Sequence, residues 1–452
     1  MIVFLWWWWT GLSALCSVFK QLGFDNIVVV DKYESQITNK LQSQKIKVVI
    51  WEGKYNFSPS DVVIYSDAVI QSKDFQKIKN NRKFSYFEFL WEISKWFKTI
   101  AIAWTHWKTS TTSMFLYLWK KFLNDLQLWI VWGFVPDLDW QNYFIWEKKE
   151  DIKLIFEKIL SPKWARPSHL FKKYYFVVEA DEFNKHFLML DPYISLICKV
   201  DYDHKDAYPT YKDYLDAFKL FLLKTCCKSF TIDEDFYLKF CPKFDLELVK
   251  KKKIKFKYVF GEHMEKNASL VIESMKHLTN LPEDKLLNEI ENFKWIRRRQ
   301  EYLWNLWKMK VYSDYAHHPV EIMATYEAFK KKFDKIWVVF QPHQLFRFVS
   351  YEKDFQSALS KIEKLIVYDI YSVREQKLLK QLWEKEWKIW TDQTTENEVI
   401  KTIWEKIAKK SWWIYIDNFD NLIEFLNDKN WVLLIMSAGD LDYKIRNLVN
   451  RS

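Results

Sequence analysis

The sequence predicts an α/β protein with three domains and mostly parallel sheets. Short apolar runs such as TIAIA, YYFVVEA and KIWVVFQPH alternate with helical stretches such as PVEIMATYEAFKKKF. This alternation is typical of strand–helix–strand units, which form parallel sheets. A new series of apolar strands begins at about residue 98 and again at about residue 294. We therefore predict domains over residues 1–97, 98–293 and 294–452.

Composition is that of a globular protein with one exception. The 452 residues are 49% hydrophobic and 28% charged, but they include only 6 glycines beside 26 tryptophans. Usage of about 7% glycine predicts roughly 32 glycines in this length, which equals the combined count of the two residue types. We therefore hypothesise that the gene uses an alternative genetic code in which UGA encodes glycine. Translation of that gene with a codon table that reads UGA as tryptophan would place tryptophan at most of these positions. Some genuine tryptophans remain among them.

Charge and cysteine content exclude several classes of partner. The net charge is +10, yet the lysines are dispersed along the chain, which indicates a solvated surface and no nucleic-acid partner. Five cysteines without a CxxC pair indicate a reducing compartment, with no disulfide framework and no structural zinc. The run Lys250 to Lys253 continues as IKFKY, and its alternating pattern predicts an exposed strand.

The first 19 residues, MIVFLWWWWTGLSALCSVF, carry no charge, so a literal reading is a membrane anchor or span. Glycine at the tryptophan positions gives instead a strand, a G-x-G-G-T-G turn and a helix, followed by a second strand, NIVVVD. That order is typical of a Rossmann-like unit, in which glycines let the backbone approach a diphosphate. The predicted binding residues are Trp6, Trp8, Trp9, Thr10, Gly11 and Asp31.

The stretch AIAWTHWKTSTTSM, residues 101–114, has the layout of a phosphate-binding loop with tryptophan where glycine is required. With glycine there, successive N–H groups and a helix N-terminus would bind phosphate, Lys108 would neutralise it and the Thr109 hydroxyl would bind Mg²⁺. The alternative is a threonine-rich helix start without a ligand. The predicted ATP-binding residues here are Trp104, Thr105, His106, Trp107, Lys108, Thr109 and Ser110.

Acidic and basic side chains follow several other strands. Glu179, Asp181 and Glu182 end one strand, and Asp203, His204 and Asp206 end the next, so they could hold Mg²⁺ or simply cap strands at the surface. Arg298 and Arg299 suit a phosphoryl group, although an ordinary basic loop has the same composition. His317, His318, His343 and Arg347 also follow strands, where a functional role and packing are equally consistent with the sequence.

Ten motifs together resemble the Mur ligases in order and spacing over nearly the whole chain. They are FLWWWWTGLS, AWTHWKTSTT, VVEADEF, DHKDAY, GEHMEKNA, FKWIRRRQE, DYAHHPVE, FQPHQLFR, DIYSVRE and SAGD. The tryptophans at positions 6, 8, 9, 104, 107 and 295 fall where that family places glycine. The coincidence supports the glycine hypothesis independently of composition.

The resemblance implies a Rossmann-like UDP-sugar domain, a central P-loop ATPase domain and a Rossmann-like C-terminal domain that closes over an amino acid. The best-matching branch of the family uses ATP and Mg²⁺ to join L-alanine to the lactyl carboxylate of UDP-N-acetylmuramate through an acyl phosphate. We therefore expect a cytoplasmic enzyme of peptidoglycan synthesis without stable membrane insertion. Oligomeric state stays open, a homo-oligomer included.

The resemblance also assigns roles to single residues. Thr109, Glu179 and His204 resemble the metal ligands. Asn267 falls at an adenine contact, Asp314 near the ribose, and Arg298 or Arg299 at the phosphoryl group. Tyr315, His317 and Arg347 resemble the alanine pocket. The sequence departs from the family at Lys199, Met264 and Gln344, and the last departure puts strict selectivity for alanine in doubt.

Two alternative functions remain at this point. A sibling ligase attaches a recycled murein tripeptide to the same nucleotide sugar, although FQPHQLFR and DIYSVRE favour the amino-acid ligase. The second alternative takes the printed tryptophans as native residues, and it predicts a non-enzymatic, Trp-rich membrane or binding protein.

Overall fold

The described residues of the computed structural model form three β-sheets. The structure describes residues 1–449 except 7–9, 51, 80, 104, 106, 124–125, 137–140, 146–148, 162–173, 206, 344–346, 348–349 and 372–412. The mixed α/β class and the mostly parallel sheets predicted from the sequence are confirmed.

The first sheet is parallel, with the strand order β3-β2-β1-β4-β5. Its first two strands are buried along their whole length, as expected of strands covered by helices on both faces. The strands are β1 Ile2–Trp6, β2 Ile27–Asp31, β3 Lys47–Ile50, β4 Val62–Tyr65 and β5 Arg82–Ser85. The helices are α1 Thr10–Gln21, α2 Gln36–Ser43, α3 Lys73–Gln76 and α4 Tyr86–Ser94.

The apolar N-terminal segment is therefore part of this sheet. Its strand pairs with β2 and β4, and its helix packs into the same hydrophobic core. Within the described ranges, no helix combines the length and the apolar character needed to cross a bilayer.

The second sheet has the order β12-β11-β10-β6-β9-β7-β8, with only the β7–β8 pair antiparallel. The strands are β6 Lys98–Ala103, β7 Leu126–Val135, β8 Gln141–Ile145, β9 Tyr175–Ala180, β10 Pro192–Ile197, β11 Lys228–Thr231 and β12 Leu246–Leu248. The helices are α5 Lys108–Phe122, α6 Lys149–Leu160, α7 Tyr211–Lys224, α8 Glu234–Phe240, α9 Glu262–Thr279 and α10 Glu283–Ile290. Because β6 lies between β9 and β10, the segments that follow these three strands meet at one edge.

The third sheet has the order β13-β14-β18-β15-β16-β17, and its β13–β14 hairpin is antiparallel. The strands are β13 Glu301–Leu306, β14 Lys308–Asp314, β15 Ile336–Gln341, β16 Leu365–Tyr368, β17 Ile414–Ile416 and β18 Asn430–Ser437. The helices are α11 Pro319–Lys330, α12 Glu352–Leu359, α13 Phe419–Asn427 and α14 Leu441–Val449.

The chain divides into two compact units, one of residues 1–256 and 265–293, the other of residues 257–264 and 294–452. The first unit contains two sheets and the second contains one. The three domain boundaries proposed from the sequence stay a prediction.

The strand expected at IKFKY is wrong, because residues 249–260 form no strand. The Lys252 amide donates instead to Ser269 Oγ at 2.8 Å, and its ammonium lies 2.9 Å from Glu283 Oε1. Ile254 is buried while its neighbours Lys253 and Lys255 are exposed. The backbone at Lys252 is thus held by α9, and Ile254 is buried without a partner strand.

Candidate nucleotide site and amino-acid site

The phosphate-loop segment leaves the central sheet at its middle strand and enters α5. Thr105 fixes the loop, because its hydroxyl lies 2.7 Å from the Tyr214 hydroxyl and donates to the Asp201 carbonyl at 2.9 Å. Ser110 is buried in the first turn of α5. Trp104 and His106 lie outside the described residues.

Trp107 is the residue immediately before α5 and has φ 64° and ψ 18°, which is left-handed backbone. Bulky residues rarely adopt this conformation, whereas glycine adopts it at little cost. The indole is also buried, so it occupies volume beside the helix N-terminus. Both features suit glycine better than tryptophan at this position.

Lys108 projects into a group of buried carboxylates. Its Nζ lies 2.5 Å from Glu182 Oε2 and 3.6 Å from Asp181 Oδ1. Burial by itself lowers the pKa of Lys108, but the negative charges of Glu182 and Asp181 outweigh it and raise the pKa above its ordinary value. The side chain therefore carries a full positive charge, as a phosphate-binding lysine requires.

Glu179 ends β9 next to the start of α5. Its carboxylate accepts hydrogen bonds from Thr109 Oγ1 at 3.1 Å and from the Trp132 amide at 2.8 Å. A hydroxyl and a carboxylate are oxygen donors that suit Mg²⁺, so two of the three predicted metal ligands are adjacent.

The third predicted ligand, His204, has a different partner in this structure. Its Nε2 lies 3.1 Å from Glu182 Oε1. Among the described residues, no group of three or more His, Cys, Asp or Glu side chains is arranged to hold a metal. In this structure Thr109 therefore contacts Glu179, whereas His204 contacts Glu182, so the three predicted metal ligands do not form one group.

Asn267 lies on α9 and is fully buried. Neither its amide nitrogen nor its amide oxygen has a hydrogen-bond partner among the described residues. Leaving a buried polar group unpaired costs about 1–3 kcal/mol. A ligand that forms hydrogen bonds with the Asn267 carboxamide would remove this cost. A carboxamide can pair with the N6 amino group and N7 of adenine, which is consistent with the predicted adenine contact.

Two of the predicted UDP-sugar residues, Trp6 and Asp31, end β1 and β2 and are register partners. Trp6 is fully buried, and its indole nitrogen has no hydrogen-bond partner among the described residues. A Cβ on Gly11 would lie 3.0 Å from both Trp132 Nε1 and the Tyr86 hydroxyl, so this glycine permits a close approach. Thr10 begins α1, and Trp8 and Trp9 lie outside the described residues.

His186 connects the strand ends of the first two sheets. Its Nε2 lies 2.8 Å from Asp67 Oδ2, its Nδ1 lies 3.8 Å from Asp181 Oδ2, and its ring stacks on Phe87 at 3.8 Å. Burial alone would lower the pKa of His186, but the interactions with the carboxylates of Asp181 and Asp67 outweigh it and raise the pKa to about 9. The sequence reasoning did not single out His186.

This contact should make the stability of the protein depend on pH. Because the folded pKa of His186 is about 9 and the unfolded value is about 6.5, the stabilisation is complete below pH 6.5 and is lost as the pH rises through 9. Its upper limit is about 3.4 kcal/mol, because one pKa unit corresponds to about 1.36 kcal/mol. We expect His186→Gln to lose more unfolding free energy at pH 6 than at pH 9.5. Equal losses at both pH values, measured by urea denaturation, would contradict this.

In the second compact unit, Arg298 and Arg299 contact the ring of Tyr315, with guanidinium carbons 4.7 Å and 5.0 Å from its centroid. Arg298 also donates to the Gly439 carbonyl at 3.1 Å. Asp314 accepts from the amides of Gln300 and Ala316, both at 2.9 Å. Burial nevertheless raises the pKa of Asp314 to about 6.

His317 lies beside Tyr315, with ring centroids 5.3 Å apart. Its Nδ1 lies 2.9 Å from the Tyr315 carbonyl and 3.3 Å from Glu321 Oε2. Burial lowers the pKa of His317 to about 4 despite Glu321, and Arg347 lowers it further. His317 is therefore neutral at pH 7. The structure brings Tyr315, His317 and Arg347 into one neighbourhood, whereas Gln344 lies outside the described residues.

Comparisons with known proteins agree with this fold. No family model matches the chain. A UDP-N-acetylmuramate–L-alanine ligase of Clostridium perfringens is 28% identical, over 81% of this chain and 82% of its own length. A ligase of the same name from Caldicellulosiruptor saccharolyticus is 27% identical, over 98% of this chain and 96% of its own length.

A solved structure has the same fold. The UDP-N-acetylmuramate–alanine ligase of Thermotoga maritima superposes with a TM-score of 0.74 and 20% identity, covering 100% of this chain and 98% of its own. The three sheets and the lysine-bearing loop are those of a P-loop α/β fold. Over most of its length the chain is similar to UDP-N-acetylmuramate–L-alanine ligases, which are Mur ligases.

Proposed function

We propose that this protein is the cytoplasmic, ATP-dependent ligase that joins L-alanine to UDP-N-acetylmuramate in peptidoglycan precursor synthesis. The observation that carries the proposal is the loop between β6 and α5, where Lys108 faces buried carboxylates and Thr109 contacts Glu179. The names of the two curated relatives, whose matches cover most of the chain, supply the substrates.

The chemistry follows from the weakness of a carboxylate as an electrophile. The lactyl carboxylate attacks the γ-phosphorus of ATP, the bond to the β–γ bridging oxygen breaks, and ADP leaves. The amine of L-alanine then attacks the acyl carbon, and inorganic phosphate leaves as the amide forms and a proton is lost. Lys108 balances the charge on the transferred phosphoryl group, and Asn267 pairs with the adenine.

Thr109 and Glu179 would hold Mg²⁺, with His204 joining them from the neighbouring strand. When bound, the ion neutralises charge on the β and γ phosphates. The donor types fit this metal, because oxygen ligands predominate and Thr109 Oγ1 already lies 3.1 Å from Glu179 Oε2.

On the amino-acid side, Arg347 would hold the carboxylate of L-alanine and neutral His317 would line the pocket. We expect Arg347→Ala to raise the KM for L-alanine by about 10- to 100-fold, as for the loss of hydrogen bonds to a charged group. The KM for ATP should stay constant. Arg347→Lys tests whether the geometry of the contact matters, because lysine keeps the positive charge but cannot form the bidentate hydrogen bonds of a guanidinium with a carboxylate. An unchanged alanine KM in Arg347→Ala would remove this residue from the pocket.

The proposed activity is tested by incubating the protein with UDP-N-acetylmuramate, ATP and Mg²⁺. L-alanine and the recycled murein tripeptide are offered in separate reactions, and the product is identified by mass spectrometry. Phosphate release and a new amide only with L-alanine support the proposal. A product formed only with the tripeptide would assign the sibling activity. The absence of ATP turnover in both reactions, with tryptophan and with glycine at positions 104 and 107, would favour a non-enzymatic protein. Glycine and serine, offered next, measure selectivity.

We also propose that most of the tryptophans are glycine in the native protein, as an alternative genetic code would produce. Backbone conformation supports this at three described positions, because Trp107, Trp307 and Trp431 have φ of 64°, 52° and 94°. Leu306 pairs with Met309 across the β13–β14 hairpin, so Trp307 occupies its two-residue turn. Glycine and asparagine are the residues that such turns favour.

Other tryptophans have the surroundings of genuine indoles. Trp119 is almost fully buried within α5, and its ring centroid lies 5.4 Å from Phe115 and 4.9 Å from Tyr175. Glycine at that position would leave a large cavity and weaken the helix. We therefore assign glycine to Trp107, Trp307 and Trp431 and tryptophan to Trp119.

A further inference from the structure

We propose that Glu182 is a positioning residue of the nucleotide site, whose single carboxylate sets both the ammonium of Lys108 and the imidazole of His204. The inference rests on the proposed nucleotide-binding function and adds a residue to which that function gave no role. The role is distinct from that of Glu179, which contacts Thr109.

The two carboxylate oxygens of Glu182 have different partners. Oε2 lies 2.5 Å from Lys108 Nζ, and Oε1 lies 3.1 Å from His204 Nε2. Glu182 is 0% exposed. A carboxylate so deeply buried is stable only when charged or hydrogen-bonding partners surround it, and these two contacts provide them.

The position of Glu182 in the sheet explains why it reaches both partners. It follows β9, His204 follows β10, and the phosphate loop follows β6, which lies between those two strands. The carboxylate therefore spans the loop from one neighbouring strand end to the other. Its backbone is also held, because the Glu182 carbonyl accepts from the Tyr208 hydroxyl and from the Lys185 amide.

This arrangement would orient both partners before the nucleotide binds. An ammonium has three donors, so Lys108 can contact a phosphate oxygen while it keeps Glu182. A carboxylate that accepts from Nε2–H of His204 leaves Nδ1 with the lone pair. Metal-binding histidines commonly have such a carboxylate on their other ring nitrogen, and its loss typically costs about 10- to 100-fold in metal affinity or activity.

The test is the affinity of ADP for Glu182→Gln, measured by calorimetry with and without Mg²⁺. Glutamine keeps an acceptor for Lys108, but its NH₂ group then faces Nε2–H of His204, donor against donor. We expect the affinity with Mg²⁺ to fall about 10- to 100-fold, and the affinity without Mg²⁺ to change less than about threefold. Glu157→Gln, an exposed residue on α6, is the matched control and should match the parent.

The parent is whichever form of the chain binds ADP, with tryptophan or with glycine at positions 104 and 107. Unchanged affinity with Mg²⁺ would overturn the role of Glu182, and so would equal losses with and without Mg²⁺. If Glu182→Gln does not fold, the same two ADP affinities are measured for Glu182→Asp and judged by the same criteria. The shorter side chain of aspartate cannot reach both Lys108 and His204. No ADP binding by either parent would instead overturn the proposed function.

Discussion

Replacing Lys108 with alanine is expected to abolish ligase turnover, with a loss in kcat of at least about 10²- to 10³-fold. The reason is that Lys108 is the cation at the start of α5, where the transferred phosphoryl group would lie. Its charge would act in a buried site, where electrostatic stabilisation is far larger than in water. The measurement is L-alanine-dependent phosphate release at saturating substrates.

The same substitution removes the partner of a buried carboxylate, so folding has to be measured separately. Breaking a buried ion pair costs about 3–5 kcal/mol, although His204 still contacts Glu182 in the variant. Lys108→Met keeps most of the apolar stem and is the milder variant. Lys212→Ala, an exposed lysine on α7, is the control. Undiminished turnover in folded Lys108→Ala would refute the assignment of the nucleotide site.

Placing glycine at positions 104 and 107 is expected to raise the affinity of the chain for nucleotide. Trp107 is strained at φ 64° and fills space beside the phosphate loop. Glycine removes backbone strain of about 1–3 kcal/mol, which stabilises the fold, and it clears volume beside the loop for the phosphate groups, which raises the affinity. We expect ADP with Mg²⁺ to bind the double variant at least about 100-fold more tightly than it binds the tryptophan form.

The control for this experiment is glycine at a tryptophan assigned as genuine. Trp119→Gly should lower the unfolding free energy by about 3–5 kcal/mol and leave ADP affinity unimproved. The codons give an independent test. UGA at positions 6, 8, 9, 104, 107 and 295, with UGG at position 119, is the expected result. UGG at all of these positions would refute the alternative genetic code, and the protein would then carry indoles in its phosphate loop.

The strands and the phosphate loop could be predicted from local pattern, because apolar runs and the Lys108–Thr109 pair are short-range signals. TIAIA predicts a buried strand, and the structure has β6 at Lys98–Ala103. The same local reasoning failed at IKFKY, since an extended segment along a helix has the same alternation as a strand. Periodicity reports which side chains are buried and does not report what covers them.

By itself, the sequence determined the fold class, the resemblance to the Mur ligases and the order of the motifs, because strand patterns, composition and motif spacing are properties of the chain alone. Only the tertiary structure decided which carboxylate each functional side chain contacts. Glu179 and Glu182 are three residues apart and look equivalent in the sequence, yet one contacts Thr109 and the other bridges Lys108 and His204. That division depends on the order of β9, β6 and β10 in the sheet, which brings together residues far apart in the chain.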